Sequence, residues 1–395
     1  MTARQTFTRL IVFSDDWGRH PSSCQHLIRQ LLPRYPVLWV NTVGTRRPGV
    51  SWGDAKKAVK KLKQWSSPPQ EAHANLTVVT PKMWPGFRTP WQRRLNARLI
   101  ARSVNRALGP RRAGERRIVI TTLPLTADLI PADAAERGRP GKLDADRWVY
   151  YCVDDFTVWP GTDGSVMQAM DELQARRVDR AVAVSPTLQD RLARLGREAP
   201  LLTHGTDLQH WRLNGAATAP PPWWPRHSRP IFLFWGLIDA RLDADICRAL
   251  VEHAGADRGA LVLVGPEQSA AASLHAHRRI VMPGPMAYDA LPGVAAAADV
   301  LVMPYRDMDV TRAMQPLKLK EYLATAKPVV VRDLPANREW ADACDLASDA
   351  ESFAHVAHER ASTGVPAAQS EARARLARES WDQKAAQFER LFVQP

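Results

Sequence analysis

Lys318 and Glu321 stand three residues apart in the stretch Tyr305–Val331, YRDMDVTRAMQPLKLKEYLATAKPVVV. On a helix that spacing brings an ammonium and a carboxylate to neighbouring positions near one turn. A carboxylate accepts at both oxygens, and sugar diols donate in pairs. A cation beside a helix N-terminus, with its free N–H groups and positive dipole end, suits a diphosphate. A Lys and a Glu at this spacing also form ordinary surface ion pairs, so spacing alone leaves both readings open. The elements needed to position them are legible. Val300 to Pro304 reads as a buried parallel strand. Pro316 opens a short helix at the position where proline costs least. Leu319, Leu323 and Ala326 share one face that can pack on a sheet. Pro328 stops the helix, and Val329 to Val331 reads as the next strand.

Earlier in the chain, other residues could move a proton. Asp16 and His20 lie in a polar loop between a strand at Arg9–Ser14 and a helix capped by Ser22 or Ser23 that runs to about Leu32. Asp154 and Asp155 follow a strand at Trp148–Val153, and His204 lies in the segment Thr203–Asp207. A general base must reach the acceptor hydroxyl, and each of these residues alone also reads as a structural hydrogen-bonder. His20 and Asp155 lead among them. Asp307-Met308-Asp309 has a metal-diphosphate spacing but reads better as a loop near the site, and the eleven histidines form no HExxH-like helix, so no metal site is expected. Trp17, Trp159, Trp223 and Trp224 are placed to stack on sugar or lipid, or to pack in a core.

Strands alternating with helices predict an α/β protein with parallel sheets. At 395 residues two domains are the default. We expect two Rossmann-like domains facing a cleft: residues 1–215, a Pro- and Ala-rich linker at 216–229, residues 230–375, and a returning helix at 376–395. A composition of 45% hydrophobic and 24% charged residues excludes a disordered chain. Four scattered cysteines, Cys24, Cys152, Cys247 and Cys344, have neither zinc nor redox spacing and read as reduced thiols of a cytoplasmic protein. The first apolar run, Leu10–Phe13, is too short for a signal peptide, and nothing approaches the ~20 apolar residues of a membrane span.

A net charge of +13 favours an anionic partner. Residues 51–65, SWGDAKKAVKKLKQW, set Ala55, Val59 and Leu62 on one helical face, with lysines on the rest and Trp52 and Trp65 at the ends. That pattern fits a helix lying in an anionic membrane interface at the inner membrane face, and equally a solvated surface helix. A second basic helix is expected at Trp91–Leu108, carrying Arg93, Arg94, Arg98, Arg102 and Arg106.

The stretch PLKLKEYLATAKPVVV resembles the donor-binding motif of GT-B glycosyltransferases of the family-4-like group, roughly P-x-K-x-x-E-Y-L-A-x-G-x-P-V-V. Pro316, Lys318, Glu321, Tyr322, Leu323, Ala324, Pro328, Val329 and Val330 match it. The family's earlier Glu is Ala313 here, and its Gly is Ala326. The loop DDWGRHPSS at 15–23 and the segment Thr203–Asp207 resemble parts of teichuronic-acid and exopolysaccharide glycosyltransferases. The resemblance implies transfer of a sugar from a UDP- or GDP-linked donor to a hydroxyl of a glycan or lipid-linked acceptor, with retention, no metal and no cofactor. It implies a donor set of Gly236, Arg241, Pro316, Leu317, Lys318 and Glu321, with Arg241 standing in for the cations usual after that domain's first strand, unless it is a surface residue. Asp16, His20, Asp155 and His204 are then the catalytic candidates. Two alternatives stay open: a nucleotide-sugar epimerase of the same architecture, and a nucleic-acid binder. Against the latter, no helix-turn-helix, zinc finger or RNA-binding signature is present.

Overall fold

The computed structural model describes residues 7–18, 22–41, 73–84, 86–158, 163–212, 220–253, 259–268 and 272–393. His20, Trp159 and the lysine-rich stretch 51–65 lie outside them. The chain forms two compact units, Met1–Thr203 with Lys384–Pro395, and His204–Gln383.

The first unit is built on six strands: β1 (Phe7–Ser14), β2 (Val37–Asn41), β3 (Leu76–Val79), β4 (Glu115–Thr121), β5 (Arg147–Cys152) and β6 (Arg180–Ala183). Their order is β3-β2-β1-β4-β5-β6, with every pair parallel. Leu10, Ile11, Val12 and Phe13 are all fully buried. Burial at consecutive positions means both faces of the sheet are covered, which is why these strands read as unbroken apolar runs. The helix Ser23–Leu31 is capped by the Ser22 side chain. The end of the helix Trp381–Val393 belongs to this unit: Tyr35 donates to Glu389 at 2.5 Å, and Arg147 donates to the carbonyl of Phe392 at 2.9 Å.

The second unit repeats the plan with β7 (Ile231–Trp235), β8 (Ala260–Val264), β9 (Ile280–Gly284), β10 (Val300–Met303), β11 (Val329–Arg332) and β12 (Asp345–Ala347). The order is β12-β11-β10-β7-β8-β9, again all parallel. Its core begins before β7. Trp211 and Trp224 are buried in the same cluster as the strands, and the unit starts at His204. In each sheet the strand order reverses once, between β1 and β4 and between β7 and β10. Ligands of such sheets bind beyond the carboxyl ends of the strands at that switch.

Two sequence expectations change at the helix that precedes β11. Pro316 is its N-cap, with an extended ψ of 110°, and the helix runs Leu317–Ala324. Proline has no N–H to lose at either position, so sequence does not separate them. Ala326 does not join Leu319 and Leu323 on the packed face. It lies past the helix end, exposed, with φ +60°. The left-handed conformation that the family pattern fills with glycine is therefore kept with an alanine, at a cost of about 1 kcal/mol. We expect Ala326→Gly to raise the stability of this unit by roughly 0.5–1 kcal/mol, read by urea unfolding, since no buried methyl is lost.

Candidate functional site

The helix Leu317–Ala324 delivers two side chains to the β7/β10 switch. Its N-terminus has no side-chain cap, so its first N–H groups keep their capacity to donate. Glu321 is 5% exposed. Its carboxylate accepts from Trp235 Nε1 at 3.1 Å and from the Tyr288 hydroxyl at 3.4 Å. Burial pushes its carboxyl above the ordinary carboxylate range, against the opposing charge of Lys318. Each oxygen retains a second acceptor direction.

Lys318 is half-buried. Burial lowers its ammonium from the usual lysine value, Glu321 holds it up, and the Arg241 charge lowers it further. No hydrogen bond or ion pair joins Lys318 to another described residue. Its nearest opposing charge is Glu321, which makes no direct ion pair with it, in a place that burial makes unfavourable for a cation. Its stem passes over Gly236: a Cβ there would lie 2.9 Å from Lys318 Cε. Gly236 has φ +153°, and its carbonyl oxygen would stand 1.8 Å from a Cβ on Gly265, itself at φ +149°. Two glycines at the ends of β7 and β8 thus let two backbones meet beneath the lysine.

Arg241 is not a surface residue. It is 8% exposed and held by Asp239, with Nε at 3.0 and 3.1 Å from the two carboxylate oxygens. The loop carrying it is tied across the switch: Arg306 N donates to the Arg241 carbonyl at 2.7 Å, and Asp243 N to that of Pro304 at 2.8 Å. Asp307 is engaged by Arg312 through both carboxylate oxygens. Among the described residues no three His, Cys, Asp or Glu side chains are grouped so as to hold a metal ion.

The sequence reading missed the aromatic frame around Glu321. Trp211 stacks on Trp235 at 5.1 Å and 12°, and His210 stacks on Tyr288 at 4.3 Å and 5°. Trp211 Nε1 donates to the Tyr288 hydroxyl at 3.2 Å, which passes its own proton toward Glu321. Only the position of Trp235, last in β7 at the switch, could have flagged it; Trp211 and Tyr288 come from distant segments with no shared spacing.

In the first unit, the loop after β1 is organised by Asp15 rather than Asp16. Asp15 accepts from Ser14 at 2.8 Å, Ser22 at 3.0 Å and Gln25 Nε2 at 3.1 Å. Burial raises its carboxyl above the ordinary range. Asp16 is half-buried beside it, and its backbone carbonyl accepts from Gln25. Trp17 packs edge-on against Trp39 at 4.7 Å and is 6% exposed, so it fills the core instead of offering a stacking face; Trp224 is likewise buried. His204, the first residue of the second unit, is 6% exposed, and its carbonyl accepts from the buried Lys320 at 2.6 Å.

Asp155 is bound to Thr157 and lies 3.4 Å from Arg191 Nε. Arg191 also donates to Asp171 at 2.6 Å, which accepts from Tyr150 at 2.5 Å. Burial holds Asp171 above its usual range despite Arg191. Removing the arginine strands a buried carboxylate, so Arg191→Met should cost about 3 kcal/mol near neutral pH. A carboxyl whose folded value is raised contributes most when protonated and loses that contribution as pH rises through the folded value. The deficit of Arg191→Met should therefore shrink as unfolding is measured at falling pH; a deficit independent of pH would show that Asp171 does not carry it.

Residues 229–373 match the model of the family described as glycosyl transferases group 1, so the second unit carries a glycosyltransferase domain. None of the curated proteins matches the chain by sequence. Among solved structures, the chain is similar to the α,α-trehalose 6-phosphate synthase of Burkholderia multivorans, with 14% identity, 97% of this chain and 95% of that one covered, and a TM-score of 0.65. It is similar to HepE of Anabaena in complex with UDP and glucose, with 12% identity, coverage of 98% and 100%, and a TM-score of 0.63. A trehalose-6-phosphate structure from E. coli bound with UDP-2-fluoro glucose has 14% identity, coverage of 98% and 99%, and a TM-score of 0.66. At these identities the likeness establishes the fold, two parallel six-stranded sheets with helices, as in GT-B glycosyltransferases.

Proposed function

We propose that this glycosyltransferase uses a UDP-sugar and delivers the sugar to a hydroxyl of a glycan or lipid-linked acceptor, in the manner of the family-4-like enzymes of polysaccharide biosynthesis. The observation that carries the proposal is Lys318, with no direct ion pair, beside Glu321 at an uncapped helix start on the β7/β10 switch. A nucleoside diphosphate supplies what this site lacks: negative charge for Lys318 and the helix N–H groups, and a diol for the free acceptor directions of Glu321. UDP rather than another nucleotide is favoured by HepE and the E. coli structure, which hold UDP, UDP-glucose or its fluoro analogue.

In this reading the first N–H groups of the helix, at Leu317 and Lys318, and the Lys318 ammonium stabilise the departing diphosphate, which needs no metal for that purpose. Arg241 adds positive potential from behind, fixed by Asp239. Gly236 leaves room for the lysine stem, and Pro316 sets the helix start. Retention at the anomeric carbon is part of the proposal, as is a base drawn from Asp16, His20, Asp155 or His204. An anionic membrane face is the proposed setting for a lipid-linked acceptor.

The direct test is a thermal-shift and calorimetric screen against UDP, GDP, CDP and ADP sugars, with UDP-sugars expected to bind best. Lys318→Ala should lower affinity for UDP by about 10- to 100-fold, the range of a charged hydrogen bond, and leave uridine nearly unchanged. Equal losses for UDP and uridine would remove phosphate from the role of Lys318.

A further inference from the structure

We infer that the outer face of the helix Pro90–Leu108 is a docking surface for an anionic phospholipid bilayer. The helix buries Asn96, Ala97, Ile100, Ala101, Val104 and Leu108. That leaves Trp91, Arg94, Arg98, Arg102 and Arg106 on one opposite stripe, at spacings of three and four. All five are exposed. Trp91 is 53% exposed and pairs at 5.6 Å with Trp84, which is 45% exposed. These two are the most exposed large apolar side chains among the described residues. Water is a poor environment for paired indoles, whereas a headgroup layer accepts their rings and N–H groups together.

The arginines of the stripe are not spent on the protein. Arg93 pairs with Asp128 and Arg88 with Asp163, but no hydrogen bond or ion pair joins Arg94, Arg98, Arg102 or Arg106 to another described residue. Beside the stripe lies a groove of about 510 Å³, bounded by Leu95, Leu99, Arg98 and Arg102 on the helix and by Arg139 and Gly141 opposite. Its wall is tight where Gly141, at φ +90°, meets Arg98: a Cβ there would lie 3.3 Å from Arg98 Cγ. The one acid lining it, Asp144, faces Arg111 at 3.5 Å, and the lining Lys142 is taken by Glu136 at 3.1 Å. Three guanidiniums around a floor with leucines fit a phosphodiester headgroup whose glycerol and first acyl carbons rest on the apolar part. The groove precedes β5, at the amino edge of the sheet. It is therefore separate from Asp16 and Asp155, which follow strands at the carboxyl edge.

This surface extends the lipid-linked arm of the proposed function and rests on that reading only for its purpose. The test is co-sedimentation of the full chain with phosphatidylcholine vesicles, with and without one third phosphatidylglycerol. Sedimentation is expected with the anionic vesicles alone, with release as salt approaches 1 M. Each neutralised arginine should lower partitioning about five-fold, so Arg98→Gln/Arg102→Gln/Arg139→Gln should lose about a hundred-fold. UDP binding by the second unit, measured on the same preparation, should be unchanged, which separates a failed surface from a failed donor site. Changing Lys56, Lys57, Lys60 and Lys61 to Gln should leave much of the binding in place. The inference is overturned if the parent ignores anionic vesicles, if the triple variant sediments like the parent, if the lysine variant alone abolishes binding, or if only soluble glycerol phosphate binds the groove.

Discussion

Glu321→Gln is expected to lower kcat/KM for the UDP-sugar about a hundred-fold while the protein stays folded. In the proposed function this carboxylate receives a sugar or ribose diol at the β7/β10 switch, and hydrogen bonds to a charged acceptor are worth roughly 1.5–3 kcal/mol each. Glutamine is the informative replacement because of the frame around the site. Its amide oxygen can still accept from Trp235 Nε1, and its amide nitrogen can face the Tyr288 oxygen. Alanine would strand both buried partners, at about 1–3 kcal/mol apiece, and would mix a loss of function with a loss of stability. Steady-state rates with the tightest-binding UDP-sugar, beside melting curves for both variants, make the comparison. Full turnover by the glutamine variant would take Glu321 out of the chemistry.

Gly265→Ala should have the largest structural effect of any single methyl added to the second unit. The new Cβ would fall 1.8 Å from the carbonyl oxygen of Gly236 and 2.8 Å from its carbonyl carbon. Neither backbone can yield easily, because Gly236 N is bonded to Val264 O at 2.9 Å and Gly265 N to Gly284 O at 3.0 Å. A clash between two tied backbones, added to an unfavourable φ, should cost about 4 kcal/mol or more. Loss of the second unit's unfolding transition and of UDP binding is the expected result. Gly284→Ala is the matched control, for it also has positive φ but meets nothing within 4 Å; it should cost only about 1–2 kcal/mol. Equal stability of the two variants would show that the Gly236–Gly265 approach is not tight in solution.

The fold class and most of the strands were written in the sequence because parallel strands covered on both faces leave continuous apolar runs. Leu10–Phe13, Ile231–Trp235, Ala260–Val264 and Val329–Val331 are such runs, and each is a buried strand. Boundaries set by a local donor or acceptor were legible for the same reason: Ser22 caps its helix with its own side chain, and Pro328 cannot continue one. Lys318 and Glu321 were found because three residues on a helix fix their mutual placement wherever that helix sits. What the sequence did not carry is everything that depends on segments meeting through space. The partners of Glu321 come from β7 and from Tyr288, and Trp211 contacts both, reaching Tyr288 across 77 residues of chain. Trp17 could stack on a ligand or pack in the core, and its contact with Trp39 places it in the core. Asp15 and Asp16 are adjacent and chemically alike, yet only the arrangement of Ser14, Ser22 and Gln25 makes Asp15 the hydrogen-bonded organiser of its loop. Arg241 looked equally like a surface charge and a ligand cation, and its burial against Asp239 was settled by the loop that crosses the switch. Local spacing determines which groups can act as a pair, but desolvation and hydrogen bonding to distant chain decide which charge is held, which is compensated and which is left to take a ligand.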